Sequence, residues 1–337
     1  MRIEEAGEFG LIERIGRLVG IPDSAVILGI GDDAAAVQPS PGHLLLATTD
    51  SQIEGHHFLL ERASPEKLGR RLAAVNLSDL GAMGGQPRWA LVSLVLPPQL
   101  EVEFVERLYQ GLVRELGRFG ASIIGGNLAG GERLVLDLTL LGEVEPHQLI
   151  RRGGAQPGDV ILVTGTLGDS ATGRALLDAG LPVPGAETLV DAHLTPLPRV
   201  HEGQAIARSG LATAMADISD GLAQDLGHIC GASGVGAVLM ASTLPISAAT
   251  QEIGTHLGLN PIGVALSGGE DYELLCTAPA SSVGALVRLL ERETGTHLTP
   301  IGHILPHSAG RLLEWSDGRR EPLGDRGWQH FDPRSPN

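Results

Sequence analysis

Aspartate residues recur in glycine- and serine-rich motifs along most of this 337-residue chain. The motifs with acids are GIGDDAAAV, TTDSQIEGHHF, NLSDLGAMG, ADISDGLAQD and SGGEDYEL. Small neighbours allow a ligand to approach the backbone, and Mg²⁺ is usually held by a few carboxylates together with substrate phosphates. The chain has a single lysine, Lys67, so phosphate binding would depend on metal ions, backbone N–H groups and arginine. These motifs therefore predict a metal-dependent nucleotide enzyme.

Asp79 is the most specific of these acids. Leu68, Leu72 and Val75 form the apolar stripe of a helix predicted from Ser64-Pro65 to about residue 83. Asp79 lies about 20° from Leu68 around that helix, on the inward stripe. A buried carboxylate is costly unless a metal, a cation or hydrogen-bond donors compensate it. A metal ligand is one interpretation, and an aspartate at the end of the helix that pairs with a structural arginine or caps a turn is the other. The remaining aspartates favour the metal.

The GIGDDAAAV segment has a second interpretation as a dinucleotide-binding fingerprint. Gly29, Gly31 and Ala34 have the expected spacing after apolar AVIL. Asp32 and Asp33 would then lie where a pyrophosphate needs bare N–H groups, and they would repel it. A metal-binding turn and an aspartate-rich turn without a ligand are the other two interpretations.

Further candidates lie at the ends of predicted strands. The strand predicted at 44–50 ends in Thr48, Thr49 and Asp50, and ligand sites are common at such ends in α/β sheets. Asp217 ends another predicted strand. Asp220 either caps the next helix or, with Ser219 and the following N–H groups, faces a phosphate.

Polar motifs elsewhere have open interpretations as well. Arg152 in RRGGAQPGD either clamps a phosphate or belongs to a solvated turn. Glu270 and Asp271 open a strand predicted at 269–278, which is typical of ligand contacts rather than of a core. Trp328 in GWQHF either stacks on a heterocycle or packs the tail against the core.

Composition excludes several classes of protein. A net charge of −16, from 40 acidic and 24 basic residues, argues against nucleic acid as a partner, because its binding needs clustered Lys and Arg. Cys230 and Cys276, without CxxC spacing, argue against a disulfide scaffold and a structural zinc site. We find no signal-peptide or membrane-spanning pattern and expect a cytoplasmic protein. The motifs of P-loop enzymes, protein kinases and zinc proteases are absent from the sequence.

Strand and helix patterns alternate in both halves of the chain, which predicts an α/β or α+β fold. The length fits two domains of ordinary size. A polar stretch at 145–157, with prolines near both ends, places the boundary near Ile150. We therefore predict domains at 1–149 and 150–337.

Taken together and in order, the motifs resemble those of the thiamine-monophosphate kinase family, in the superfamily that includes aminoimidazole-ribotide synthetase. The resemblance runs from GEFGLIERI at 7–15 to GWQHF at 327–331. It implies a two-domain fold of the aminoimidazole-ribotide synthetase type and a homodimer that pairs the N-terminal domains. The N-terminal domain would bind ATP and Mg²⁺, and the C-terminal domain would end in a substrate-binding tail. The implied reaction is ATP- and Mg²⁺-dependent phosphorylation of thiamine monophosphate to thiamine diphosphate by direct in-line transfer, the last step of thiamine diphosphate biosynthesis.

The resemblance also implies a role for particular residues, none of them a nucleophile. The implied ligands of several Mg²⁺ ions are Asp33, Thr48, Thr49, Asp50, Asp79, Asn127, Asp217 and Asp220. The implied ATP contacts are Gly126, Asn127, Arg152 and Ser219. The implied contacts of thiamine monophosphate are His57, Glu270 and Trp328. Asn127 departs from the family, where aspartate is commoner, and its amide carbonyl would bind Mg²⁺ without the charge.

Two alternatives within the superfamily need cysteines that this sequence lacks, and a third is disfavoured by motifs that it contains. Selenophosphate synthetase would need a reactive cysteine in an N-terminal glycine-rich segment, and the hydrogenase-maturation relative would need a C-terminal cysteine. DISDGL with SGGEDYEL and GWQHF disfavours aminoimidazole-ribotide synthetase. From another class, a non-catalytic nucleotide or thiamine-phosphate sensor would bind these ligands without turnover.

Overall fold

The computed structural model describes residues 1–20, 23–180, 185–324 and 327. The chain forms two compact units, one of Met1–Leu80 with Gly85–His147 and one of Gly81–Gly84 with Gln148–Asn337. Both contain helices and a mostly antiparallel sheet, whereas a doubly wound α/β sheet is mostly parallel. The prediction of a mixed fold is confirmed in its α+β form.

The first unit is built on a four-stranded sheet. Its elements are α1 (Ile3–Val19), β1 (Val26–Leu28), β2 (Ala36–Val37), β3 (Leu44–Ile53), α2 (Pro65–Ala82), β4 (Gln86–Leu96), α3 (Val102–Arg118), β5 (Ser122–Gly130) and β6 (Val135–Val144). The sheet has the order β3-β6-β4-β5, in which β4 and β5 are parallel and the other pairs are antiparallel. β1 and β2 form a separate small sheet.

One face of the four-stranded sheet is buried. Leu136, Leu138 and Leu140 of β6 are completely buried, and the residues between them are partly exposed, as expected for a strand with one covered face. α2 and α3 approach each other closely, because a Cβ added at Gly69 would lie only 2.0 Å from the Leu108 carbonyl oxygen. This contact fixes α2, which carries Asp79.

The second unit has a seven-stranded sheet. Its elements are β7 (Val160–Thr164), α4 (Asp169–Ala179), α5 (Glu187–Leu194), α6 (Val200–Ser209), β8 (Ala214–Asp217), α7 (Leu222–Ser233), β9 (Val235–Met240), α8 (Ala248–His256), α9 (Pro261–Ser267), β10 (Leu274–Ala278), α10 (Val283–Glu293), β11 (Leu298–Pro306), β12 (Arg311–Glu314) and β13 (Arg320–Pro322). The sheet order is β13-β12-β9-β11-β7-β10-β8, with β9 and β12 as the parallel pair. Among the described residues, no helix is both long and apolar enough to cross a membrane.

Three predicted strand boundaries are wrong. β3 continues past Asp50 to Ile53, because its pairing with β6 continues that far. The strand that the ASIIGG segment predicts at 121–126 likewise continues, as β5, to Gly130 along β4. The strand predicted at 269–278 begins only at Leu274, because Glu270 and Tyr272 have φ values of 60° and 51°, which an extended strand does not allow.

Candidate active site

In the first unit, Thr48 and Asp79 are in direct contact, with the Thr48 hydroxyl donating a hydrogen bond to Asp79 Oδ2. Thr48 shares a face of β3 with Asp50, because alternate residues of a strand point the same way. Asp79 is partly buried between Ser78 and Leu80, which are each only 1% exposed. Residues 71–78 are all buried, so α2 lies in the core rather than presenting one inward stripe.

Asp50 and Gly126 lie in one cross-strand row of the sheet. Asp50 pairs with Leu138, Leu138 with Val92, and Val92 with Gly126. Leu138 and Val92 are completely buried, so the middle of this row lies on the covered face, whereas Gly126 at its β5 end is exposed. Three strand spacings separate Asp50 from Gly126, about 14 Å.

Thr49 and Asn127 lie on the opposite, exposed face of the same sheet. Asn127 pairs with Ser93, Ser93 with Asp137, and Asp137 with Ser51, which shares its face with Thr49. Both Thr49 and Asn127 are exposed. The structure therefore divides the predicted metal ligands of this unit between two faces.

Asp33 and His57 lie in turns of the same unit. Asp33 is exposed between β1 and β2, where its N–H donates to Asp32 Oδ1 at 2.8 Å. His57 Nδ1 accepts the N–H of Ile53 at 3.1 Å, which fixes the ring at the end of β3. An acceptor role for Nδ1 places the proton of the neutral ring on Nε2.

In the second unit, Asp217 is the last residue of β8, and Ser219 and Asp220 lie in the loop that follows. Asp217 ends that strand and is 3% exposed. It pairs with Leu274, so the loop that precedes β10 comes to the same place. In that loop the Glu270 N–H donates to the Ser219 carbonyl oxygen at 2.7 Å. The fold thus joins two motifs that are far apart in the sequence.

Asp225, which our sequence analysis did not select, holds the loop after β8. One of its carboxylate oxygens accepts the N–H groups of Ser219, Asp220 and Gly221, each at 3.1 Å. The sequence had allowed these N–H groups to face a phosphate, but in the structure they bond to Asp225. The Ser219 side chain still offers its hydroxyl for a phosphate contact. The signal was present, because an acid in the first turn of a helix is a common acceptor for its N-terminal N–H groups.

The Asp217, Asp220 and Asp225 carboxylates around this loop are oxygen donors, the kind that Mg²⁺ prefers, whereas the neighbouring His228 is a nitrogen donor. Burial and the neighbouring carboxylates of Asp217 and Asp220 raise the pKa of Asp225 to about 8. Ligand atoms of Asp220, Asp225 and His228 lie within 4.8 Å of one another. Carboxylates that disfavour each other's charge are stabilised by a divalent cation, and Mg²⁺ prefers oxygen ligands.

Arg152 and Gly327 lie at opposite ends of α7 in the second unit. Arg152 is exposed, and its carbonyl oxygen accepts the Ser233 hydroxyl of α7 at 3.5 Å. Gly327 lies beside the loop, because a Cβ added there would be 2.9 Å from the Asp220 carbonyl oxygen. Trp328 lies outside the described residues.

Glu270 has an unusual backbone and a buried neighbour. Its φ of 60° is strained for a residue other than glycine, and such strain is concentrated at functional sites. Its Oε2 lies 3.3 Å from Nδ1 of His193, a residue without any signal in the sequence.

Gly126 offers a test of how β5 packs against β4 in the four-stranded sheet of the first unit. A Cβ added to it would lie 1.9 Å from the Val92 carbonyl oxygen. We expect Gly126→Ala to lower the free energy of unfolding in urea by about 2 kcal/mol, because β5 must move away from β4. Gly130→Ala, in the same strand and with no atom within 4 Å of the added Cβ, is the control and should change it by less than about 0.5 kcal/mol. Equal effects of the two variants would contradict this packing.

Comparison with known proteins gives the family. The AIR synthase related protein models match this chain, with the N-terminal domain at residues 31–144 and the C-terminal domain at 156–313. Thiamine-monophosphate kinase of Aquifex aeolicus strain VF5 is 39% identical over 334 residues, which cover 98% of this chain and all of that protein. The enzyme of Escherichia coli K12 is 39% identical over 329 residues, which cover 96% of this chain and 98% of that protein.

Comparison with solved structures gives the same family. The crystal structure of thiamine-monophosphate kinase from Stenotrophomonas maltophilia K279a is 38% identical, with a TM-score of 0.81 and coverage of 93% of this chain and 97% of that one. AaThiL complexed with AMPPCP and TMP is also 38% identical, with a TM-score of 0.76 and coverage of 98% and 99%. The hydrogenase maturation protein HypE in complex with ATP, at 21% identity and a TM-score of 0.77, shares the fold. The chain therefore belongs to the AIR synthase related family and, within it, to the thiamine-monophosphate kinases.

Proposed function

We propose that this chain transfers the γ-phosphoryl group of ATP directly to the phosphate of thiamine monophosphate, in a Mg²⁺-dependent reaction that yields ADP and thiamine diphosphate. The observation that carries the proposal is the meeting of the DISDGL and SGGEDYEL motifs at one loop of the second unit. The similarity to a complex with AMPPCP and TMP supports both substrates.

The acceptor makes a strong general base unnecessary, because a phosphate oxygen is already anionic near neutral pH. That oxygen bonds to the γ-phosphorus as the bond to the bridging oxygen breaks, and ADP leaves with the electron pair. The obstacle is repulsion between two polyanions, about 4 kcal/mol for each charge pair at 4 Å and an effective dielectric constant of 20.

The chain's acids and hydroxyls would hold Mg²⁺, which when bound offsets this repulsion and stabilises the charge of an in-line displacement. Their distribution over both faces of one sheet and over both units supports more than one ion. The proposed ligands are Asp33, Thr48, Thr49, Asp50, Asp79, Asn127, Asp217 and Asp220.

The proposed substrate contacts use different chemistry. Gly126 offers only backbone, and we propose that it contacts ATP with Asn127, Arg152 and the Ser219 hydroxyl. For thiamine monophosphate we propose His57, Glu270 and Trp328 as contacts. The Glu270 carboxylate suits the amino group and the thiazolium cation of thiamine, because it accepts hydrogen bonds and carries negative charge.

We further propose a homodimer through the first unit, with residues 1–149 binding ATP and Mg²⁺ and residues 150–337 ending in a substrate-binding tail. Leu45 and Leu91 lie on the exposed face of the four-stranded sheet and are 52% and 36% exposed. Apolar side chains on an open sheet face support pairing with a second copy. Sedimentation of a monomer at micromolar concentration would contradict this part.

The reaction itself is tested by incubating the purified protein with ATP, Mg²⁺ and thiamine monophosphate and separating the products by chromatography. We expect equal amounts of ADP and thiamine diphosphate, loss of both with excess EDTA, and recovery with added Mg²⁺. Free thiamine, which lacks the acceptor phosphate, should give no product. ATP binding without turnover would contradict the proposal and favour a sensor.

A further inference from the structure

His193 is a buried histidine of α5 that faces the SGGEDYEL loop. The residue is 8% exposed. Its Nδ1 lies 3.3 Å from Glu270 Oε2 and 3.3 Å from the hydroxyl oxygen of Ser170, a buried residue of α4. All three residues belong to the second unit.

The chemistry of the contact depends on the proton of the imidazole. An ionised carboxylate only accepts hydrogen bonds, so Glu270 Oε2 bonds to Nδ1 when that nitrogen carries the proton, and the Ser170 hydroxyl oxygen is then a second acceptor. A hydrogen bond to an ionised group is stronger than one between neutral groups, and the low exposure of His193 limits competition from water.

The backbone of Glu270 is fixed on the other side. Its N–H donates to the Ser219 carbonyl oxygen at 2.7 Å. The next residue, Asp271, is anchored by the Gly168 N–H, which lies 3.1 Å and 3.0 Å from its two carboxylate oxygens. The left-handed conformation of Glu270 is thus held by its neighbours. Its long side chain still has three rotatable bonds, and the contact with His193 restricts them.

We propose that His193 is a positioning residue that orients the Glu270 carboxylate for thiamine monophosphate. The inference rests on the proposed function, in which Glu270 contacts that substrate. If the carboxylate is already held in one rotamer, less side-chain conformational entropy is lost when thiamine monophosphate binds. His193 therefore acts on the affinity for thiamine monophosphate and not on that for ATP.

The test compares two amides at position 193. His193→Asn keeps an N–H near the position of Nδ1, and His193→Gln places its N–H near that of Nε2 instead. We expect His193→Gln to raise KM for thiamine monophosphate about tenfold and to leave KM for ATP within about twofold. His193→Asn should stay within about threefold of the natural protein for both. His193→Leu, which fills the space without a donor, replaces the glutamine variant should the latter not fold.

A double-mutant cycle shows whether the effect passes through Glu270. In the background of Glu270→Gln, we expect His193→Gln to change KM for thiamine monophosphate by less than about twofold, because the carboxylate that it positions is gone. The control is His256→Ala, an exposed histidine of α8 whose ring contacts only its own helix at the Glu252 carbonyl (2.8 Å) among the described bonds.

Three results would overturn the positioning role: an unchanged KM in His193→Gln, equal changes of both KM values, or the same tenfold effect with Glu270→Gln. Each of these results is compatible with normal formation of thiamine diphosphate by the natural protein. Absence of thiamine diphosphate with the natural protein would overturn the proposed function instead, so the two failures are distinguishable.

Discussion

Replacing Asp79 with asparagine is expected to lower kcat by about a thousandfold while the thermal midpoint changes by no more than about 3 °C. The Thr48 hydroxyl donates to this side chain, and the carbonyl oxygen of an asparagine still accepts that bond. What the variant loses is the negative charge that we propose for Mg²⁺ binding. The effect should therefore appear in turnover and not in the fold.

The measurement is steady-state formation of thiamine diphosphate at saturating ATP and Mg²⁺, with the thermal midpoint recorded in parallel. Glu13→Gln is the matched control, because Glu13 is exposed on α1 and pairs with Arg17. It removes one charge from the same unit at a residue that is not a proposed ligand and should leave kcat unchanged. Near-normal turnover of Asp79→Asn with Mg²⁺ would remove Asp79 from the metal site.

Replacing Asp225 with alanine is expected to lower the free energy of unfolding by about 3 kcal/mol and to abolish turnover. Three backbone N–H groups would lose their acceptor at once, and unsatisfied donors in a protein interior are costly. The loop that carries Ser219 and Asp220 would then have no fixed shape. Asp225→Asn keeps one carbonyl oxygen and should cost only about 1 kcal/mol.

Urea unfolding followed by circular dichroism measures both variants under the same conditions. Asp178→Ala is the control, since Asp178 is an exposed residue of α4 that pairs with Arg174 at the surface, and we expect a change below about 0.5 kcal/mol. Equal stability of Asp225→Ala and the natural protein would show that the three bonds do not hold the loop. A stable but inactive Asp225→Ala would instead assign Asp225 to the ligands.

Apolar patterns predicted the positions of several elements, including the helix that carries Asp79. The helix predicted from Ser64-Pro65 to about Met83 is α2, Pro65–Ala82, and the strand predicted from 235 to 240 is β9, Val235–Met240. Such patterns arise because side chains that face the core are apolar, and the order of apolar residues can be seen in the sequence itself. The end of β8 at Asp217 lies within one residue of its predicted place for the same reason.

The sequence could not predict features that depend on distant contacts. The left-handed Glu270 is held by Ser219, which belongs to another motif, and a non-glycine residue gives no local sign of such a conformation. His193 has no neighbouring motif, and only the fold brings it to Glu270. Likewise, strand register assigns Asp50 and Asn127 to opposite faces of one sheet, and register cannot be derived from either motif alone.

The strand order of the second unit has a consequence for biosynthesis. β7 ends at Thr164, but one of its neighbours is β10, whose first residue, Leu274, follows 110 residues later, and the other is β11, later still. At the usual pace of a ribosome, β7 is made on the order of 10 s before either partner exists. A nascent chain released in that interval would carry a strand of five buried apolar or hydroxyl side chains with both edges unpaired, a template for aggregation. Chains that end between Thr164 and Leu274 contain β7 without either partner and should therefore be recovered as aggregates.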